Sequence, residues 1–223
     1  MKKESILNKK IELPNEKGII RVGLIMYIYY WLLYCYDLTE KIDSLFLTNL
    51  ALVGIMIGIT LPFYFIYRKW TRHEEKLNLK NWKQYVIAMG LLVLVFINYL
   101  IQSYMNYGTF GFSFDTFERF NVASLLFCFF QYACVVAVTE EFMFRVLIQN
   151  ELVDIFGRFR WLVPVITAAY FGYIHTVQGN VAQAWSAFVF GLILGYAKLY
   201  IKNCTYLTLV IVHGLYDFLI VIL

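Results

Sequence analysis

The sequence predicts an all-α polytopic membrane protein, a bundle of about seven transmembrane helices with its site in the core of the last four. Hydrophobic residues make up 61% of the 223 residues, and charged residues only 15%. Mean hydropathy is +0.65. A soluble domain of this length has too small a core to hide so much apolar surface. Apolar runs of about 20 residues recur along the chain, the length that crosses a bilayer as a helix. In lipid each run must close its own backbone hydrogen bonds, which excludes isolated strands.

The runs are Ile19–Tyr36, Leu45–Tyr67, Tyr85–Tyr104, Asn121–Gln149, Trp161–His175, Ala182–Tyr200 and Thr205–Leu223. The first follows a lysine-rich leader and has no small-residue cleavage site behind it, so it reads as an uncleaved signal anchor. Lys2, Lys3, Lys9, Lys10, Lys17 and Arg21 precede or open it. Arg68, Lys69, Arg72, Lys76, Lys80 and Lys83 fill the second connection. Arg158 and Arg160 lie in the fourth connection, and Lys198 and Lys202 flank the sixth. The alternate connections hold only Lys41 and Arg119. This bias places the N-terminus in the cytoplasm of a cell-membrane protein. It also accounts for the net charge of +4 without a nucleic-acid partner. Cys35, Cys128, Cys134 and Cys204 fall in or beside apolar runs without paired spacing. They read as small buried hydrophobes, not as a disulfide or metal framework.

Within this apolar background the stretch "VVAVTEEFMFRVLIQNEL" carries Glu140, Glu141 and Arg145. An ionisable group at bilayer depth costs several kcal/mol and normally faces the protein interior. Glu141 and Arg145 are i and i+4, placed to neutralise each other on one helix face. Glu140 is turned about 100° away by the helical period. A structural ion pair beside a glutamate held by a polar neighbour would explain these residues equally well. Two further stretches shift the balance. "AAYFGYIHT" sets Phe171 one turn before His175, and "VIVHGLYDFLIVIL" sets His213 one turn before Asp217. Counted from the cytoplasmic end, Glu140, His175 and His213 lie roughly 15, 21 and 13 Å deep. An active site explains a shared depth; scattered structural groups do not.

A glutamate in a dry bundle is suited to deprotonating water. Glu140 could activate a water held against His175. His213, oriented by Asp217, could hold the oxyanion or protonate the leaving amine. No serine or cysteine stands in a nucleophile motif beside a histidine. The H-E-x-x-H zinc motif is also missing, since "HEEKL" at His73 lacks the second histidine. Zinc held by His175, His213 and a carboxylate stays open by ligand type.

"EEFMFR", "FGYIH" and "HGLYD" follow one another as EExxxR, FxxxH and HxxxN/D. In these residues the chain resembles the CPBP intramembrane proteases, the CAAX-protease and bacteriocin-processing family, also called Abi. The resemblance covers about residues 121 to 217. It implies an intramembrane endopeptidase in which Glu140 is the base, supported by Glu141, Arg145, His175, His213 and Asp217. Asp217 stands where many members have asparagine and adds a charge there. Phe171 is expected to pack beside His175 and do no chemistry. The chain then divides into a cytoplasmic basic leader (1–18), N-terminal spans and loops (19–120) and a CPBP-like catalytic core (121–223).

The implied partners are the lipid bilayer and a membrane-bound or amphipathic peptide. The implied cofactor is none, or a divalent metal such as zinc. Bacteriocin self-immunity or peptide-pheromone processing are the roles such relatives bring to mind. The alternatives are a catalytically inactive scaffold for immunity or sensor-kinase regulation, and a small proton-coupled transporter. The transporter would call for paired broken helices, which the sequence lacks. The predicted orientation favours a site reached from the cytoplasm. Ala187, Gly191 and Gly195, spaced by four, are expected to let two helices pack closely.

Overall fold

A computed structural model describes residues 16–39, 45–70, 78–110, 121–178 and 181–222. The leader before Glu16, together with Lys41, His73 and Arg119, lies outside them. Every regular element among the described residues is helical: α1 (Glu16–Thr39), α2 (Leu45–Trp70), α3 (Trp82–Tyr107), α4 (122–156), α5 (Val163–Gln178), α6 (Val181–Tyr200) and α7 (Tyr206–Ile222). These fall on the apolar runs, with ends displaced by a few residues. Trp82–Tyr107, the continuous helical run Val122–Thr176, and Val181–Tyr200 are long and apolar enough to cross a membrane. Leu50–Phe65 and Tyr206–Ile222 are apolar but shorter.

Local chemistry sets the ends of the fourth helix. Asn121 caps its start, its side chain accepting from the Ser124 N–H at 2.8 Å, which satisfies one of the open N-terminal donors. Gly157, at φ 50°, ends it in a conformation that side chains with a Cβ disfavour. A 3₁₀ turn, Gly157–Leu162, then reverses the chain into α5.

Two π segments, Phe130–Val136 and Phe142–Ile148, interrupt α4 on either side of the short α segment Ala137–Glu141. Such widened turns change the phase of a helix and occur often at functional sites. Here they bracket the two glutamates.

In lipid, helices associate through close packing and interhelical hydrogen bonds more than through the hydrophobic effect. The expected small-residue stripe serves this purpose. A Cβ at Gly191 would come within 3.2 Å of Ala168, and one at Gly195 within 3.1 Å of Pro164. The tightest approach is elsewhere, between α7 and α4, where a Cβ on Gly214 would lie 2.5 Å from the Ala133 Cα. Polar bonds tie the same helices together. Tyr170 donates to the Met26 carbonyl at 2.6 Å, Tyr206 to the Val138 carbonyl at 2.7 Å and Gln149 to the Gly195 carbonyl at 2.9 Å. Of the cysteines, Cys128 and Cys204 are buried as expected, whereas Cys134 is exposed on the outer face of α4. A period-based reading cannot place that residue, because the π segment that contains it rotates the face it presents.

Candidate active site

Glu141 and Arg145 lie with fully buried side chains, Nε to Oε2 at 3.4 Å. The Arg145 guanidinium also stands over the rings of Phe171, at 5.3 Å, and Phe144, at 5.8 Å. The cation is thus held by one carboxylate and two aromatic faces. Among the described residues its nitrogens reach no hydrogen-bond acceptor. Phe171 therefore packs against both Arg145 and His175, whose ring is 4.6 Å away.

Glu141 has a second contact that sequence spacing did not show. Its Oε1 lies 2.7 Å from Nδ1 of His213, on α7. The other ring nitrogen of His213 faces the Asp217 Oδ2 at 3.2 Å and the Glu140 Oε2 at 3.7 Å. The imidazole is therefore held between carboxylates on α4 and on its own helix. Phe190, on α6, closes over it edge-on at 4.8 Å between ring centroids.

Glu140 itself is almost fully buried. Its Oε1 accepts a 2.8 Å hydrogen bond from the Tyr29 hydroxyl, on α1. Its Oε2 is left facing His213 and a cavity of about 330 Å³. His175 and Asp217 line that cavity as well. His175 is fixed through Nδ1, 2.7 Å from the Phe171 carbonyl one turn back. The structure thus brings Glu140, His175, His213 and Asp217 to one space, with Glu141, Arg145 and Phe171 packed behind it.

Tyr29 escaped the sequence reading. It lies in "YIYYWLLYCY", where tyrosines are so frequent that an interfacial belt explains them all. No signal singles out Tyr29. Among the described residues no group of three or more His, Cys, Asp and Glu side chains is arranged to hold a metal ion. Both nitrogens of His213 are already turned to carboxylate oxygens, and Nδ1 of His175 to a backbone carbonyl.

A family model described as type II CAAX prenyl endopeptidase Rce1-like matches residues 122–219. This segment resembles the CPBP/CAAX protease family. The match begins at the first residue of α4 and includes all three motifs; α1, which supplies Tyr29, lies outside it. No curated protein and no solved structure matches the chain. The match and the apolar helices together support a membrane-embedded protein similar to the CAAX-type intramembrane proteases.

The cavity lies toward one end of the bundle. Apart from Tyr29, Glu140 and His213, which lie close to helix midpoints, its lining residues fall in the first halves of α2, α4 and α6 and the second halves of α5 and α7. Those segments meet at the end of the bundle away from Arg21, Arg158 and Lys198. Toward the basic end, the bundle is filled by Met143, Arg145, Ile148, Leu194 and Leu209, all essentially without exposure. Counting depth along a helix gives the level of a site, but not the side on which large side chains close it.

Proposed function

We propose that the protein is an intramembrane endopeptidase in which Glu140 activates water against a peptide carbonyl. What carries this reading is the position of the Glu140 Oε2, buried yet facing the cavity and the His213 ring. One oxygen of the carboxylate is engaged by Tyr29. The other takes a proton from water as the water oxygen bonds to the carbonyl carbon. The carbonyl oxygen becomes an oxyanion, and the Nε2–H of an imidazolium His213 faces the same space to donate to it, while His175, whose Nδ1–H donates to the Phe171 carbonyl, presents Nε2 as an acceptor for the attacking water. The tetrahedral carbon then expels the amine, which receives the proton from Glu140. Water supplies both the hydroxyl of the new acid and the hydrogen of the new amine, and no covalent enzyme intermediate forms.

Glu141, Arg145 and Asp217 hold His213 in place and do not meet the substrate's reacting atoms, except as Asp217 borders the cavity. Apolar walls from Leu52, Val53, Val136, Ile220 and Val221 fit a membrane-bound or amphipathic peptide. Bacteriocin self-immunity and pheromone processing are physiological settings in which such a peptide would be met.

Cleavage of a fluorogenic apolar peptide by purified protein in detergent, with and without a chelator, tests the reading. Activity that persists in chelator supports water activation by the carboxylate alone. Activity abolished by chelator and restored by zinc contradicts it in favour of a metallopeptidase. An inactive scaffold would show no cleavage across a broad peptide library, while Glu140→Gln would leave its cellular function intact.

A further inference from the structure

We propose that this cavity receives its peptide from the extracytoplasmic face of the membrane, not from the cytoplasm. The proposal rests on reading the cavity as the peptide site, and two independent observations carry it.

The first is the position of the hollow along the bundle. On α4 the lining residues run from Gln131 to Glu140, in the half nearer its start; on α6 they run from Gln183 to Phe190, again near the start. On α7 they run from His213 to Val221, toward the end of the helix. Since α4 and α6 run opposite to α7, these stretches share one end of the bundle. Below Glu140 and His213 the interior is closed by buried side chains, of which Arg145, Phe144 and Ile148 are among the largest. Among the described residues, the Glu140 carboxylate is thus open toward that end of the bundle and closed toward the other.

The second observation is charge. Lys17 and Arg21 open α1, Lys80 and Lys83 open α3, Arg158 and Arg160 occupy the turn between α4 and α5, and Lys198 with Lys202 marks the end of α6. All of these lie at the closed end. Connections rich in lysine and arginine are retained in the cytoplasm. The open end is therefore the outer one.

The lining sets the chemistry of the occupant. Among the described residues its charged groups are Glu140 and Asp217 with the two histidines, and they include no lysine or arginine. Among the described lining residues a free C-terminal carboxylate would find no fixed cation beyond the histidines that the reaction uses. An uncharged or cationic segment is accommodated by the acidic floor and the apolar walls. The substrate class is thus an apolar or cationic peptide arriving from outside the cell or the outer leaflet, cut at an internal bond.

Thiol labelling tests sidedness without requiring cleavage. In a background with the native cysteines replaced by alanine, Gln183→Cys places a reporter at the open end and Phe159→Cys one in the turn between Arg158 and Arg160. Trp185→Cys, exposed near the start of α6, is a second reporter for the open end should Gln183→Cys fail to accumulate. Bacterial cells that express each variant are treated with a membrane-impermeant maleimide before or after permeabilisation. Gln183→Cys or Trp185→Cys should label equally in both, and Phe159→Cys only after permeabilisation. The reverse pattern, or an open-end reporter silent in intact cells, overturns the proposal. A protein that proved not to be a protease would still label as expected, so the two readings fail separately.

Discussion

Tyr29 on α1 donates a 2.8 Å hydrogen bond to Glu140 on α4, across 111 residues of sequence. The bond joins a helix outside the family-matched segment to the carboxylate proposed as the base. Tyr29 is fully buried and packs edge-on against Phe144 at 5.2 Å, so its hydroxyl has one direction in which to point. A hydrogen bond to a charged group is worth about 1.5–3 kcal/mol. Tyr29→Phe keeps the ring and removes only the hydroxyl. The expected result is a fall in kcat of about 10- to 100-fold, with KM little changed because Tyr29 orients Glu140 and does not grip the peptide. A change confined to KM would remove Tyr29 from this role.

Arg145 and Glu141 form a pair whose loss should be felt in stability. Removing one partner of a buried pair leaves an uncompensated charge and costs about 3–5 kcal/mol. Arg145→Met should lower the unfolding temperature in detergent, while Glu141→Gln combined with Arg145→Met should recover part of the loss. A double mutant that is destabilised by the sum of the two single effects would show that the groups act independently.

Gly214 neighbours His213 and lies where α7 touches α4. A methyl group there meets the Ala133 Cα at 2.5 Å, which neither backbone can yield without moving. Gly214→Ala should cost about 1–3 kcal/mol through overpacking and reduce cleavage as His213 shifts from Glu141. Gly90→Ala, with nothing within 4 Å of the added carbon, serves as the control and should be silent. Equal tolerance at the two positions would contradict the close α4–α7 contact.

Asp217 faces the His213 Nε2 at 3.2 Å. Asparagine retains an oxygen able to accept from that nitrogen, so Asp217→Asn should keep most of the activity and Asp217→Ala should lose more. If both variants lose cleavage equally, the charge at this position matters and orientation of the ring does not account for it.

The sequence was most legible where one segment carried its own signal. Apolar runs announce helices because lipid leaves no other way to satisfy the backbone. Glu141 with Arg145, and His213 with Asp217, were readable as pairs because i, i+4 spacing fixes them within one helix. The Glu141–His213 bond, between α4 and α7, was not readable; it depends on how two helices dock through Gly214 and Ala133. Tyr29 was hidden among neighbouring tyrosines for the same reason. The open side of the cavity could not be read either, since it is set by which side chains from six helices fill each level. The π segments of α4 add a local cause, rotating residues such as Cys134 away from the face that a 3.6-residue period assigns them.

The central claim is a division of labour between adjacent glutamates: Glu140 reacts and Glu141 holds the site together. Glu140→Gln and Glu141→Gln, purified in the same detergent, should be compared for both peptide cleavage and thermal unfolding. Glu140→Gln should unfold near the wild-type temperature yet lose about 10²- to 10⁴-fold in kcat, the span typical of a general base. Glu141→Gln should lose stability, with its activity falling through displacement of His213. Cleavage retained in Glu140→Gln, with activity abolished only in a stable Glu141→Gln, would contradict the assignment.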